Sequence, residues 1–315
     1  MRLLKLVPDN TNIRFLKLRW PAMILSVLMI IGSVALVATR GLNFGVDFAG
    51  GLTMDVGFEQ AAPLDELRTT VGGLGVGTPI IQEFGAPNIV SIRLPLPPGE
   101  EGATQRVVSR VEAAIKRDHP DATIRRVETV SGKVSGELIR DGALAAVLAM
   151  LGVAAYIWLR FEWQFGVGAL FALVHDVALT LGFFALTQLE FNLNIVAAIL
   201  TIIGYSLNDT VVVYDRIREN LRKYRRMPLI DLLDLSVNET LARTIVTSLT
   251  MLIALGILLV LGGEVLRGFS AAMFLGIVIG TFSSIYVAAP ILVWLGVKSE
   301  SFAPVDKQAE RLARP

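Results

Sequence analysis

Apolar positions in this chain fall into six long runs separated by polar stretches: residues 20–39, 142–159, 165–187, 193–214, 241–262 and 268–297. A helix needs about 20 apolar residues to cross a hydrocarbon layer about 30 Å thick, so the pattern predicts six transmembrane helices. The first run, Trp20 to Thr39, contains no charge, and Pro21 suits a first helical turn, where a missing N–H has no partner to lose. This run is longer than the apolar core of a secretory signal and ends without a small-x-small cleavage site, so it reads as an uncleaved anchor rather than a signal peptide. The sixth run is long for one perpendicular crossing and holds Pro290. It predicts a tilt, a kink or a preceding interfacial piece.

Between the first two runs the pattern changes. Residues 40–141 are mixed and charged, with the length of one small domain. Leu52 to Phe58, Pro79 to Phe84, Asn88 to Leu94 and Ala122 to Val130 read as strands. Ala62 to Val71 and Ala103 to Lys116 read as amphipathic helices, with Leu64, Leu67 and Val71 on one face of the first and Val107, Val108, Val111 and Ile115 inward on the second. The order strand–helix–strand–strand–helix–strand predicts a small α+β domain of ferredoxin-like type. Gly72, Gly73, Gly75 and Gly77 precede no Lys-Ser/Thr helix and read as a turn, and His119 reads as a residue of a solvated loop.

Composition agrees with a membrane protein carrying one soluble domain. Of 315 residues, 53% are hydrophobic and 18% charged, and mean hydropathy is +0.61. A net charge of +1 offers no basic field for nucleic acid. With no cysteine, disulfides, thiolate catalysis and Cys-based metal sites are excluded, and two histidines on different segments make a poor metal site. Lys and Arg beside the runs set the orientation. Residues 1–19 hold five, 215–239 hold six and 298–315 hold four, whereas the turn 188–192 has none and 263–267 only Arg267. Both termini, 1–19 and 298–315, are therefore expected in the cytoplasm and the domain 40–141 outside. The cytoplasmic segment 215–239 is basic at first and then carries Leu229, Ile230, Leu232, Leu233 and Leu235. That suits an amphipathic helix lying on the membrane surface or docking a partner.

Polar residues inside the apolar runs are the informative exceptions, because a charge near the bilayer centre costs about 2.5–3.5 kcal/mol even on a lenient scale. The third run holds His175-Asp176, the fourth Asn208-Asp209 and the fifth Arg243. Asp209 and Arg243 fall near the same end of neighbouring helices, so an ion pair between them is expected. Thr201, Tyr205, Asn208 and Asp209 share one helical face, and Arg243, Thr247 and Thr250 another. Two such stripes facing each other would hold water, as a proton route requires. A static helix–helix lock explains the same residues equally well, and His175 reads first as a structural hydrogen-bonding partner. Gly276 and Gly280, followed by Ser283 and Ser284, read as helix packing.

Several segments resemble the SecF family of protein-export membrane subunits: Gly45-Val46-Asp47-Phe48-Ala49-Gly50-Gly51 after the first run, residues 134–142, Arg160-Phe161-Glu162-Trp163, Leu173-Val174-His175-Asp176-Val177, and above all Ser206 to Asn220 around Asn208-Asp209. The likeness covers roughly residues 11–298 and includes the order of one span, an external domain and five spans. It implies an inner-membrane protein whose six helices form half of an RND-type bundle, with SecD as its partner supplying the other half. It also implies contact with the Sec channel subunits and translocating preproteins, and use of the proton gradient in late translocation, without cofactor or enzymatic activity. Asp209 and Arg243 map onto family-critical membrane positions, with Asn208, Asp176 and His175 beside them, which favours the proton route over the static lock. For the glycine signature, Gly50-Gly51 is expected to turn the chain into the first strand, with Asp47 bonding locally. A stand-alone RND-like exporter of small molecules or lipids, an intramembrane protease and a structural scaffold are the competing classes.

Overall fold

The structure, a computed structural model, describes Pro8 and residues 11–95 and 102–297. Residues 1–7 and the basic tail 298–315 of the sequence reading lie outside the described residues. Among those described, six helical runs are long and apolar enough to cross a membrane: Phe15–Arg40, Gly132–Arg160, Trp163–Thr187, Leu193–Lys223, Leu229–Leu261 and Val265–Trp294.

A short 3-10 turn, Phe15–Leu18, leads into α1 (Arg19–Arg40), and one further helical turn, α2 (Val46–Ala49), leads into the sheet domain. That domain contains β1 (Gly51–Gly57), α3 (Leu64–Gly72), β2 (Ile80–Phe84), β3 (Ala86–Leu94), α4 (Ala103–Asp118) and β4 (Thr123–Val130). The strands form one antiparallel sheet in the order β2-β3-β1-β4. Alternation along the strands gives the sheet two different faces. Leu52, Met54, Val56, Ile81, Val90, Ile92 and Leu94 pack under α3 and α4 with Leu67, Val71, Val108, Val111 and Ile115. His119 does not sit in a solvated loop. It follows α4 directly, where the chain folds back, and its ring meets Phe58 edge-on at 5.7 Å.

The membrane helices outrun their apolar stretches. The helix α5 (Gly132–Arg160) begins well before the apolar run at 142, and Ser131 caps it by accepting from the Val134 N–H at 3.4 Å. Next come α6 (Trp163–Thr187), α7 (Leu193–Lys223) and α8 (Leu229–Leu261). With 29, 31 and 33 residues, α5, α7 and α8 are about 43–50 Å long at 1.5 Å per residue, more than a hydrocarbon layer requires. Hydropathy marks the part of a helix that meets oil, whereas hydrogen bonding continues until a breaker intervenes.

For that reason segment 215–239 is not a separate surface helix. Its basic half completes α7, its leucine-rich half opens α8, and a short turn of residues 224–228 joins them. Leu232 and Leu233 are fully buried, in one core with Phe15, Leu16, Ile217 and Leu221. Asp234 and Asn238 accept from the backbone N–H groups of Leu16 and Ile13, both at 2.9 Å, and so tie the chain before α1 to the start of α8.

The sixth run is one continuous helical path in three parts: α9 (Gly263–Ser283), a π turn (Ser284–Ala288) and α10 (Ala289–Trp294). Pro290 has no N–H to donate into the preceding turn, and the wider π turn absorbs that loss. The Ala288 carbonyl accepts from the Tyr214 hydroxyl at 3.2 Å, which ties this turn to α7. This run lies at the centre of the bundle, and α5 is the most exposed helix. A Cβ on Gly276 would stand 2.5 Å from Ile202 Cδ1, and one on Gly280 would stand 3.0 Å from Ser206 Cβ. The two glycines therefore let α9 lie directly on α7.

Candidate functional site

Close packing of α9 on α7 brings the start of the π turn to the polar residues of three other helices. Asp176 on α6 is 1% exposed and Asp209 on α7 is 7% exposed. A buried carboxylate needs donors, and each aspartate has its own set of hydroxyls. Thr244 Oγ1 of α8 donates to Asp209 Oδ1 at 2.6 Å, and Ser284 Oγ donates to Oδ2 at 2.8 Å. Ser206 Oγ and Ser283 Oγ lie 2.5 and 2.9 Å from Asp176 Oδ2, and His175 Nδ1 lies 2.9 Å from Oδ1. Two consecutive serines thus serve two different carboxylates. Each also has a second acceptor in its own helix: the Gly280 carbonyl at 3.1 Å for Ser283 and the Thr281 carbonyl at 3.0 Å for Ser284. A hydroxyl carries one hydrogen, so each serine donates in one direction or the other.

His175 is also buried, with its ring stacked on Phe282 at 6.2 Å and Nε2 without a hydrogen-bond partner among the described residues. No group of three or more His, Cys, Asp or Glu among the described residues is placed to hold a metal ion.

The expected Asp209–Arg243 ion pair is not formed. Arg243 acts on Asp209 only through space, and its side chain makes no hydrogen bond or ion pair among the described residues. Successive residues on a helix point about 100° apart. Thr244 faces Asp209, so Arg243 is turned outward, into a groove with Tyr156, Arg160, Val211, Val212 and Asp215. Asn208 is likewise exposed beside buried Asp209. The two predicted polar stripes do not face each other either: Thr201, Asn208, Arg243, Thr247 and Thr250 are all on the bundle surface. Thr201, Thr247 and Thr250 turn their hydroxyls back to carbonyls of their own helices. Facing the interior instead are Tyr205, whose hydroxyl is 3.3 Å from Ser248 Oγ, and Ser248, 2.8 Å from Thr281 Oγ1.

The glycine signature lies elsewhere, where the sheet domain joins the bundle. Gly50 (φ 68°) and Gly51 (φ 124°) turn the chain into β1 in the left-handed region, and a Cβ on Gly51 would stand 2.6 Å from the Leu94 carbonyl oxygen. Asp47 does not bond locally. Its Oδ2 accepts from the Leu193 N–H at 2.9 Å, capping the first turn of α7 from a distant part of the chain. A Cβ on Gly45 would stand 2.5 Å from Glu190 Oε1. Gly45 and Asp47 thus meet the α6–α7 connection and the start of α7, whereas Gly50 and Gly51 lie against the sheet and the start of α5; the signature is apart from the buried carboxylates.

Comparison with known proteins follows this geometry. The family model described as protein export membrane protein SecD/SecF, C-terminal, matches residues 110–298, and the SecD/SecF GG motif matches residues 35–62. The protein translocase subunit SecF of Cereibacter sphaeroides is 48% identical over 303 residues, covering 93% of each chain. That of Rhodobacter capsulatus is 45% identical over 318 residues, covering 96% of each. Among solved structures, the crystal structure of SecDF, a translocon-associated membrane protein from Thermus thermophilus, superposes with a TM-score of 0.84 at 33% identity. The match covers 92% of this chain and 39% of that one, so this chain spans about two fifths of the solved relative.

Proposed function

The chain belongs to the SecF family of protein translocase subunits, and on that premise we propose that it pairs with SecD to couple proton movement to late steps of preprotein translocation. In this reading the helices are half of an RND-type bundle in a bacterial inner membrane, with both termini cytoplasmic. The sheet domain is a ferredoxin-like module on the outer side. The chain catalyses no covalent chemistry and needs no cofactor. SecD, the Sec channel subunits and the translocating preprotein are its partners.

One observation carries this reading. Asp176 and Asp209 are buried carboxylates held by hydroxyls, with the consecutive Ser283 and Ser284 between them where α9 meets the π turn, and no Lys or Arg bonded to either among the described residues. Such a carboxylate has a second stable form. Ionised, Asp209 accepts from Thr244 and Ser284. Protonated, it donates, and Ser284 turns its hydrogen to the Thr281 carbonyl. Ser283 has the same choice between Asp176 and the Gly280 carbonyl. Protonation therefore redirects hydrogen bonds that tie α6, α7 and α8 to the centre of the bundle, and the helices repack. One proton moving down about 100 mV releases about 2.3 kcal/mol, enough to shift a two-state equilibrium by more than tenfold.

Arg243 stands at the surface with Asn208 and Thr247. A polar face on a membrane helix is unfavourable toward lipid, and a SecD half with polar groups of its own would cover it. The reading is tested with the SecD–SecF complex and the channel in proteoliposomes. Asp209→Asn is expected to abolish the gradient-stimulated part of preprotein translocation and leave the ATP-driven part unchanged. Full gradient stimulation in that variant would refute proton coupling through Asp209.

A further inference from the structure

The helix α5 starts directly after β4, and its last residue, Arg160, stands at the end of the bundle away from the sheet domain. There α7 runs on past its apolar part and carries Asp215, Arg218, Glu219, Arg222 and Lys223 along one helical face. These six residues line a groove of about 470 Å³. Its floor is ordered. The buried Phe161 ring supports two guanidiniums, Arg160 at 5.0 Å and Arg218 at 5.7 Å from its centroid. Arg218 also donates to the Arg160 carbonyl at 3.3 Å and to Glu162 Oε1 at 3.1 Å.

Charge in the groove is not fully matched. Arg218 is satisfied by Glu162. Glu219 is drawn away by Arg216, to which it is bonded at 2.6 Å. Asp215 stands 3.6 Å from Arg160 with both side chains at least half exposed, a geometry that contributes little in water. Arg222 and Lys223 have no carboxylate partner among the described residues, and Lys223 instead lies over the Tyr224 ring. Basic groups thus converge on one groove with acceptors to spare for only some of them.

Depth decides what the groove meets. The apolar runs end at Leu159 on α5 and Tyr214 on α7, so Arg160 and Asp215 mark the edge of the hydrocarbon. Arg218 and Arg222 are about 6 and 12 Å beyond Tyr214. The polar layer of a bilayer is about 5–8 Å thick on each side, and long basic side chains reach back into it. Tyr156, Trp158 and Trp163, all exposed, surround the groove as aromatic residues do at headgroup level. Below it, α5 exposes Leu148, Leu151 and Leu159 to hydrocarbon.

We propose that this groove binds the phosphate of an anionic phospholipid, with Arg160, Arg222 and Lys223 as its donors and the acyl chains lying along α5. A phosphate oxygen accepts from arginine and lysine together, and a basic pocket between membrane helices at headgroup depth is where such a lipid is retained. The site does not depend on proton coupling at Asp209.

The test uses the complex with SecD in phosphatidylcholine vesicles carrying a trace of photoreactive lipid, the same reactive acyl chain being placed under a phosphoglycerol or a phosphocholine headgroup. Each basic residue at an anionic surface adds about fivefold to the attraction, so with some charge already paired the phosphoglycerol lipid is expected to label residues 155–163 about tenfold more than the phosphocholine lipid. In Arg160→Gln/Arg222→Gln/Lys223→Gln both lipids should label at the phosphocholine level of the parent, which also shows that the surface of α5 is intact. Arg14→Gln/Lys17→Gln, which removes basic charge outside the groove, should keep the preference. Excess inorganic phosphate should not compete, because it lacks the chains. Equal labelling by the two lipids in the parent, equal loss of preference in both variants, or displacement by inorganic phosphate would overturn the proposal.

Discussion

At the scale of single residues, the proposed proton coupling rests on the buried carboxylates and on the hydroxyls that donate to them. Asp209 has two donors in the bundle, Thr244 and Ser284. A hydrogen bond to a charged group is worth about 1.5–3 kcal/mol. Thr244→Val keeps the shape and removes the donor. It is expected to lower the gradient-stimulated component of translocation by at least tenfold while the complex stays assembled, and Thr244→Ser should restore it; a translocation assay with and without a gradient separates the three proteins. Asp176 and Asp209 were legible from the chain alone because ionisable groups in an apolar run are conspicuous. Thr244 was not, since a threonine in a membrane helix is ordinary, and Arg243 next to it offered a stronger and misleading partner. Which of two adjacent residues faces inward depends on helix rotation, which the run of letters does not encode. Ser283 and Ser284 were noticed, but only as small residues suited to packing.

Among the elements, helix spacing determines whether these contacts exist. Gly276 and Gly280 hold α9 against α7, and Ser283 at the end of α9 and Ser284 at the start of the π turn reach different helices. The small-residue pattern was readable as packing and that is its structural role. The π turn was not readable beyond the notice that Pro290 imposes some irregularity, because a proline specifies a missing donor and leaves open how the helix absorbs it. Nor did hydropathy mark the polar turns that extend α5, α7 and α8. A side chain at Gly276 would overlap Ile202, and overpacking of this kind typically costs about 1–3 kcal/mol. Gly276→Ala is expected to lower the thermal midpoint of the purified complex by a few degrees, and adding Ile202→Ala should recover most of the loss. If Ile202→Ala gave no recovery, contact between these two positions would not be what limits the spacing.

For the whole molecule, the helix α7 is the common member. Its first turn is capped by Asp47 from the root of the sheet domain, its middle lies under Gly276 and Gly280, and its later turns carry Asp209 and then the segment packed on the start of α8. The one helix that carries Asp209 is thus also tied, through Asp47 of α2, to the root of the sheet domain. The same helix presents Thr201 and Asn208 outward, and α8 presents Arg243, Thr247 and Thr250. Elsewhere the exposed surface is what lipid favours: Leu159 is 90% exposed and Val260 79%. Lipid has no donors or acceptors to offer the polar face, so a partner helix with polar groups is expected over it and only there. With no native cysteine in the chain, single cysteines at Thr247 and at Leu159 probe the two surfaces in intact membranes. A short bifunctional reagent should join Thr247→Cys to SecD and leave Leu159→Cys unjoined. Equal yields at both positions, or joining at Leu159→Cys alone, would place the partner on the apolar side and leave Arg243 without a counter-group.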